Sequence, residues 1–143
     1  MADTIAKPKI VKKDYVAAVG RRKEATARVR LYLTKKGEIE VNGKRIEEYF
    51  PGEIAKSMYA EPLRTCNLIG KHAISIKVNG SGKNSQLGAI VHGMARAIDK
   101  IDPEKYHPIL KKRGLLTRDP RAKERRKAGM GGKARAKKQS PRR

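Results

Sequence analysis

The sequence predicts an α+β body that carries a long, basic, extended C-terminal tail, and three observations predict it. Apolar residues alternate with period two at 25–34, 38–41 and 72–78, which reads as strands. Leu87, Ile90, Val91, Met94, Ile98 and Ile101 recur at three- and four-residue spacing, which reads as a helix. Residues 111–143 hold fifteen Lys or Arg against Asp119 and Glu124, with only Leu115, Leu116 and Met130 as large apolar residues. That segment buries too little surface to offset the entropy of ordering its backbone, so it needs a polyanion to hold it. Self-repulsion keeps it extended, with a reach on the order of 100 Å at roughly 3.3 Å per residue. The chain divides into an arm (1–13), a globular body (14–110) and the basic tail (111–143).

Residues 1–13 hold four Lys against one Asp, show no periodicity, and are expected to form a mobile arm. Residues 15–20 form a short apolar strand. In 25–34, Ala25, Ala27, Val29, Leu31 and Leu33 share one face, while Thr26, Arg28, Arg30, Tyr32 and Thr34 share the other, so one face is core and the other is basic. Arg21-Arg22-Lys23 occupies the turn between these strands. Lys35-Lys36-Gly37 reads as the next turn, and Ile39 and Val41 point inward again, which predicts an antiparallel hairpin between 25–34 and 38–41. Asn42-Gly43 closes a further tight turn. Pro51 and Pro62 interrupt 44–63, predicting short helices joined through Gly52. Residues 72–78 are the last strand, burying Ile74, Ile76 and Val78. A Gly-rich loop follows, and Asn84 or Ser85 caps the long helix. Pro103 opens a second helix to about Lys112, with Tyr106, Ile109 and Leu110 as apolar contacts, and the tail leaves at Gly114.

Net charge narrows the function. The tail carries +13 of the chain's +22, and the body is basic as well. Cys66 stands alone, so the chain cannot form an internal disulfide. The longest apolar run, 15–19, is far below the roughly 20 residues that cross a bilayer, and the chain reads as soluble and untargeted. A membrane-surface binder would oppose bulky apolar residues to its charge on one helix, and the tail does not, which leaves nucleic acid as the favoured partner.

The loop ending Gly82-Lys83 lacks the earlier Gly and the following Ser or Thr of a nucleotide-hydrolysing phosphate loop, though a helix N-terminus beside Lys83 suits a phosphate of any polymer. His72, His92, His107 and Cys66 show no paired metal-ligand spacing, so neither a metal nor a cofactor is expected. No nucleophile sits beside a base, and no catalysis is expected. Three adjacent cations at Arg21, Arg22 and Lys23 repel one another unless an anion lies over them. The face Ala89, His92, Gly93, Arg96 admits either a close neighbour, backbone or phosphate, or plain solvation. The tail has no aromatic residue, so its contacts fall on phosphates and on the shape of a folded RNA rather than on stacked bases. Duplex DNA reading would call for a presented helix or a dimer seam. The candidate phosphate contacts are Arg21, Arg22, Lys23, Arg28, Arg30, Lys83 and Arg96 in the body. In the tail they are Lys111, Lys112, Arg113, Arg118, Arg121, Arg125, Arg126, Lys127, Lys133, Arg135, Lys137 and Lys138.

Three motifs, Gly20-Arg21-Arg22-Lys23-Glu24-Ala25-Thr26-Ala27-Arg28-Val29, the 80–86 loop with His92-Gly93-Met94-Ala95-Arg96-Ala97, and Gly114-Leu115-Leu116-Thr117-Arg118-Asp119-Pro120-Arg121, occur in one order. From about Tyr15 onward the chain resembles the bacterial-type small ribosomal subunit protein nine family. The resemblance implies a two-layer body, with an about four-stranded mixed sheet backed by helices and a βαβ crossover of the uncommon left hand, where general rules favour the right. It implies a structural role in the cytoplasmic ribosome, docked on 16S ribosomal RNA among neighbouring head proteins. It also implies that the tail runs toward the decoding centre and that Arg142 and Arg143 touch the peptidyl-site tRNA. Ser81 and Ser85 stand where that family usually has glycine, and 139–143 keep its charge but lose an aromatic. The alternatives are a DNA-compacting protein with a basic tail and, third, a small phosphate-binding enzyme.

Overall fold

The computed structural model describes residues 14–128. The expected arm at 1–13 lies outside the described residues. Strands β1 (Tyr15–Arg22) and β2 (Ala25–Tyr32) pair antiparallel with Arg22 opposite Ala25, so only Lys23 and Glu24 form the turn. Arg21 and Arg22 therefore end a strand instead of lying in a turn, and the strand period sends them to opposite faces. The chain continues through β3 (Ile39–Val41), β4 (Lys44–Arg45), α1 (Ile46–Tyr49), α2 (Glu53–Thr65), β5 (Ile74–Asn79), α3 (Lys83–Asp99) and α4 (Pro103–Lys112).

The sheet order is β1-β2-β5-β3-β4, antiparallel except for the β3–β5 pair. This is a mixed α+β sheet with a fifth strand, the two-residue β4, closed onto β3 by Asn42 and Gly43, both at positive φ. The expected β2–β3 hairpin does not form, because β5 lies between them. Periodicity fixes which face a residue takes but not which strand is its neighbour. The six residues 33–38 step across one intervening strand, roughly 10 Å, and the all-aliphatic inner side of β5 takes the centre, where Ile76 pairs with both Val29 and Val41. Asn42 locks that register from the side: its amide donates to the Val78 carbonyl and its oxygen accepts from the Val78 N–H, both at 3.0 Å. The connection from β3 to the parallel β5 passes through β4, α1 and α2 and makes a βαβ crossover.

One face of the sheet is core. Ala27, Val29, Leu31, Ile76 and Val78 are almost wholly buried against Ile90, Met94 and Ile98 of α3, and α2 and α4 pack on α3 in turn. Leu33, given to this face by the alternation, is 45% exposed, because β2 has already ended. Ile109 is also exposed, while Tyr106 and Leu110 of α4 are buried. Helix α2 runs through Pro62 instead of stopping there, with the proline ring buried in the core. Helix α3 starts at Gly82 with no side-chain cap, ahead of the expected Asn84 or Ser85. The preceding loop packs so tightly on the β1–β2 turn that a Cβ at Gly80 would lie 2.5 Å from the Glu24 carbonyl oxygen, and Ser81 holds a positive φ of 53° to make the bend.

Candidate nucleic-acid interface

Among the described residues, no helix covers the other face of the sheet. Here Val19, Arg28 and Lys77 stand in one cross-strand row, and Ala17, Arg30 and Ser75 stand in the next. Arg28, Arg30 and Lys77 are exposed, and none forms an ion pair among the described residues. Tyr15 and Tyr32 pair across the end of the same face with ring centroids 5.7 Å apart, and the Arg30 guanidinium lies 5.3 Å from the Tyr15 ring centre. Three cations on rigid strands, against the single acid Glu40 opposite Ser75 on β3, make a net positive surface that suits an anion.

Strand β1 is the edge of the sheet, and α3 seals it. Lys100 donates to the Ala17 carbonyl at 2.9 Å, Arg96 donates to the Val19 carbonyl, and the Arg21 N–H donates to His92 Nδ1 at 3.3 Å. The spacing 92, 96, 100 places these three side chains on one line of the helix, above the free edge. Ala89 and Gly93, on the neighbouring line, are buried against Gly20 of β1, so the small residues receive a backbone and neither solvent nor phosphate.

A strap, residues 115–121, crosses this edge. Leu115 and Leu116 are half-buried on the core, the Leu116 carbonyl accepts from His92 Nε2 at 3.2 Å, and Arg118 donates to the Lys23 carbonyl at 3.4 Å. Asp119 pairs with Arg22, whose side chain lies over Gly88, and with Arg121 at 2.7 Å. The Arg121 side chain and backbone N–H, and after them Arg22, hold the Asp119 carboxyl far below the usual carboxylate range. Arg22 is thus an internal tether and not an open phosphate contact.

His92 accepts at Nδ1 and donates at Nε2, which requires the neutral ring. Burial lowers its pKa, the charges of Arg96 and Arg118 add to this, and the bond to the Leu116 carbonyl opposes it. The unfolded chain therefore binds this proton more readily, and the strap's stability is complete above about pH 6.5 and declines as pH falls below it. Arg21, Arg96 and Arg118 face the ring, and Asp119, the nearest acid along the strap, stays ionised throughout that window. Ring nitrogen shifts measured by NMR should show His92 titrating below 6.5, with the Arg21 amide signal moving in step. Titration at or above 6.5 would exclude the two-bond arrangement.

Lys83 stands 3.4 Å from the Tyr49 ring centre and donates to the Tyr49 carbonyl at 3.2 Å, pinning α1 to α3 on the helical side. Lys111, Lys112 and Arg113 end α4, also on the helical side and away from the open sheet face. Arg125, Arg126 and Lys127 are exposed beyond the strap. Lys133, Arg135, Lys137, Lys138, Arg142 and Arg143 lie outside the described residues. The structure thus gathers Arg21, Arg28, Arg30 and Arg96 and adds Lys77 and Lys100, which the sequence reading missed. Lys77 was visible in the alternation Ile74, Ile76, Val78, and Lys100 one turn after Arg96. Cys66 is buried, and burial pushes its thiol pKa up. No group of His, Cys, Asp or Glu among the described residues gathers in a way that could hold a metal. No helix among them is long and apolar enough to cross a membrane.

The family model described as ribosomal protein S9/S16 matches residues 20–143. The small ribosomal subunit protein uS9 of Maridesulfovibrio salexigens is 48% identical over 125 residues, covering 87% of this chain and 94% of that protein. Its counterpart from Anaeromyxobacter sp. strain K is 47% identical over 114 residues, 80% of this chain and 86% of the relative. The protein of that name from Cutibacterium acnes is 45% identical over 114 residues, which span 80% of this chain but 65% of the relative's length.

Proposed function

Because the chain belongs to the ribosomal protein S9/S16 family, whose members are structural proteins and not enzymes, we propose that it is a structural component of the small ribosomal subunit that holds ribosomal RNA. The observation that carries the RNA reading is the uncovered sheet face, where Arg28, Arg30 and Lys77 stand in register and form no ion pair among the described residues. Phosphates of a folded RNA supply the missing anions, and rigid strands lose little freedom in meeting them. The RNA is the 16S ribosomal RNA of the subunit head, with neighbouring head proteins around it, in the cytoplasmic ribosome. In this reading the charge of the basic tail follows that RNA, and Arg142 and Arg143 contact the peptidyl-site tRNA.

Nuclease treatment of a cell extract tests the main reading. RNase should release the protein from a large particle and DNase should not; release by DNase alone would make it a DNA-compacting protein. A truncation tests the tail tip. Deleting Arg142 and Arg143 should leave subunit assembly nearly intact, because thirteen other tail cations remain. It should speed tRNA dissociation from purified subunits by about fivefold, equivalent to about 1 kcal/mol after screening. Equal off-rates at low salt would confine the tip to ribosomal RNA packing.

A further inference from the structure

We propose that the cleft between the end of β1, the middle of α3 and the strap is a preformed site for a single phosphate group, in the RNA reading one phosphodiester of the bound strand. Arg21, Arg96 and Arg118 line it with Val19 and His92, in a space of about 470 Å³. Each arginine comes from a different element: the last outward position of β1, the α3 turn after His92, and the strap.

Two of the guanidiniums are held from behind, and the third arginine is held by its backbone. Arg96 gives one nitrogen to the Val19 carbonyl and Arg118 gives one to the Lys23 carbonyl, while the Arg21 backbone is fixed by His92. The remaining guanidinium donors have no protein acceptor among the described residues. A guanidinium offers five donors in a planar fork, so each keeps enough for a bidentate contact with phosphate oxygens. Among the described residues no carboxylate lines the cleft. Asp119, the nearest acid along the strap, has its oxygens taken by Arg22 and Arg121. His92 adds no charge, because both ring nitrogens are committed to backbone groups, and it contributes a neutral floor.

Convergence of three guanidiniums is unfavourable while the cleft is empty and becomes favourable when one tetrahedral anion bridges them. Among the described residues no Tyr, Phe or Trp lines the cleft and its one ring, His92, is fixed at both nitrogens by backbone groups, so recognition falls on the phosphate and not on a stacked base. An anion here also joins strap to body through Arg118, which couples RNA binding to the direction in which the tail leaves. The phosphate preference stands on the geometry; only the RNA source of the phosphate rests on the proposed function.

The test uses the full chain and three probes at constant ionic strength: inorganic phosphate, a mononucleotide, and a ribosomal RNA fragment of the subunit head. NMR of the arginine side-chain N–H groups and of the His92 ring should show saturable shifts with inorganic phosphate at Arg21, Arg96 and Arg118. Arg21→Gln and Arg118→Gln should each weaken the phosphate midpoint at least fivefold, Arg118→Lys should restore part of it, and Lys71→Gln should leave it unchanged. Shifts that never saturate, or that spread evenly to Arg28, Arg30 and Arg125, would overturn the site. If phosphate saturates the cleft and the RNA fragment does not bind, the site stands and the RNA reading falls. If RNA binds equally well to Arg21→Gln, Arg118→Gln and the unaltered chain, the cleft is not where RNA docks and the proposal fails.

Discussion

Gly20→Ala should cost about 3 kcal/mol or more of folding stability, although it adds one methyl group to a strand. A Cβ at that position would lie 1.9 Å from the Ala89 carbonyl oxygen and 2.3 Å from the Gly93 nitrogen, and both are backbone atoms of α3. No rotamer change relieves such a contact, so the helix must move off the strand by more than an ångström. That movement opens the packing of Ile90, Met94 and Ile98 on the sheet and stretches the bonds from His92, Arg96 and Lys100 to the β1 edge. Overpacking alone typically costs about 1–3 kcal/mol, and lost edge bonds add to it. Against a total stability of roughly 5–15 kcal/mol this is a large share.

Two other glycines calibrate the comparison. A Cβ at Gly88 would meet the Arg22 side chain at 2.3 Å, and a flexible side chain can move aside at the expense of its bond to Asp119. A Cβ at Gly82 would meet nothing within 4 Å, so alanine there should cost about 1 kcal/mol at most through the helix cap. Urea denaturation followed by circular dichroism orders the three variants. Equal midpoints for Gly20→Ala and Gly82→Ala would show that the strand and helix are not in backbone contact.

The Gly20–Gly93 contact marks where the sequence stopped being readable. Period two assigned Ala27, Val29 and Leu31 inward and Arg28 and Arg30 outward, because a strand with one buried face leaves no other choice. The same rule could not order the strands, since β3 and β5 both have inward aliphatic faces and either suits β2. The face Ala89, His92, Gly93, Arg96 stayed ambiguous for a related reason: a glycine on a helix signals close approach without naming the partner. The strap escaped because its anchors are single polar atoms far apart in sequence. Asp119 read as a minority charge in a basic run, yet it meets Arg22 ninety-seven residues away. The candidate interface was legible as a row of cations on β2. Its width, through Lys77, depended on which strand lay beside that row.

Changing Arg28, Arg30 and Lys77 together to Gln should leave the body folded and lower its affinity for a head fragment of 16S ribosomal RNA by about 10²- to 10³-fold near 0.1 M salt. The fold should persist because all three side chains are exposed, have no ion-pair partner among the described residues, and keep their strand positions as Gln. Each lost phosphate contact removes about 0.7 to 0.9 from the slope of log affinity against log salt, so three remove up to about 2 to 3. The decisive comparison is with Lys111, Lys112 and Arg113 changed together to Gln. That variant loses the same charge, but its residues stand at the end of α4 on the helical side. If the sheet face is the docking surface, the first variant should lose far more affinity, and the gap should narrow as salt rises and screens the contacts. If net charge alone attracts the RNA, the two salt slopes should coincide. Filter binding over 0.05 to 0.4 M salt separates the cases, because geometry distinguishes two sets of cations that the sequence counts as equal.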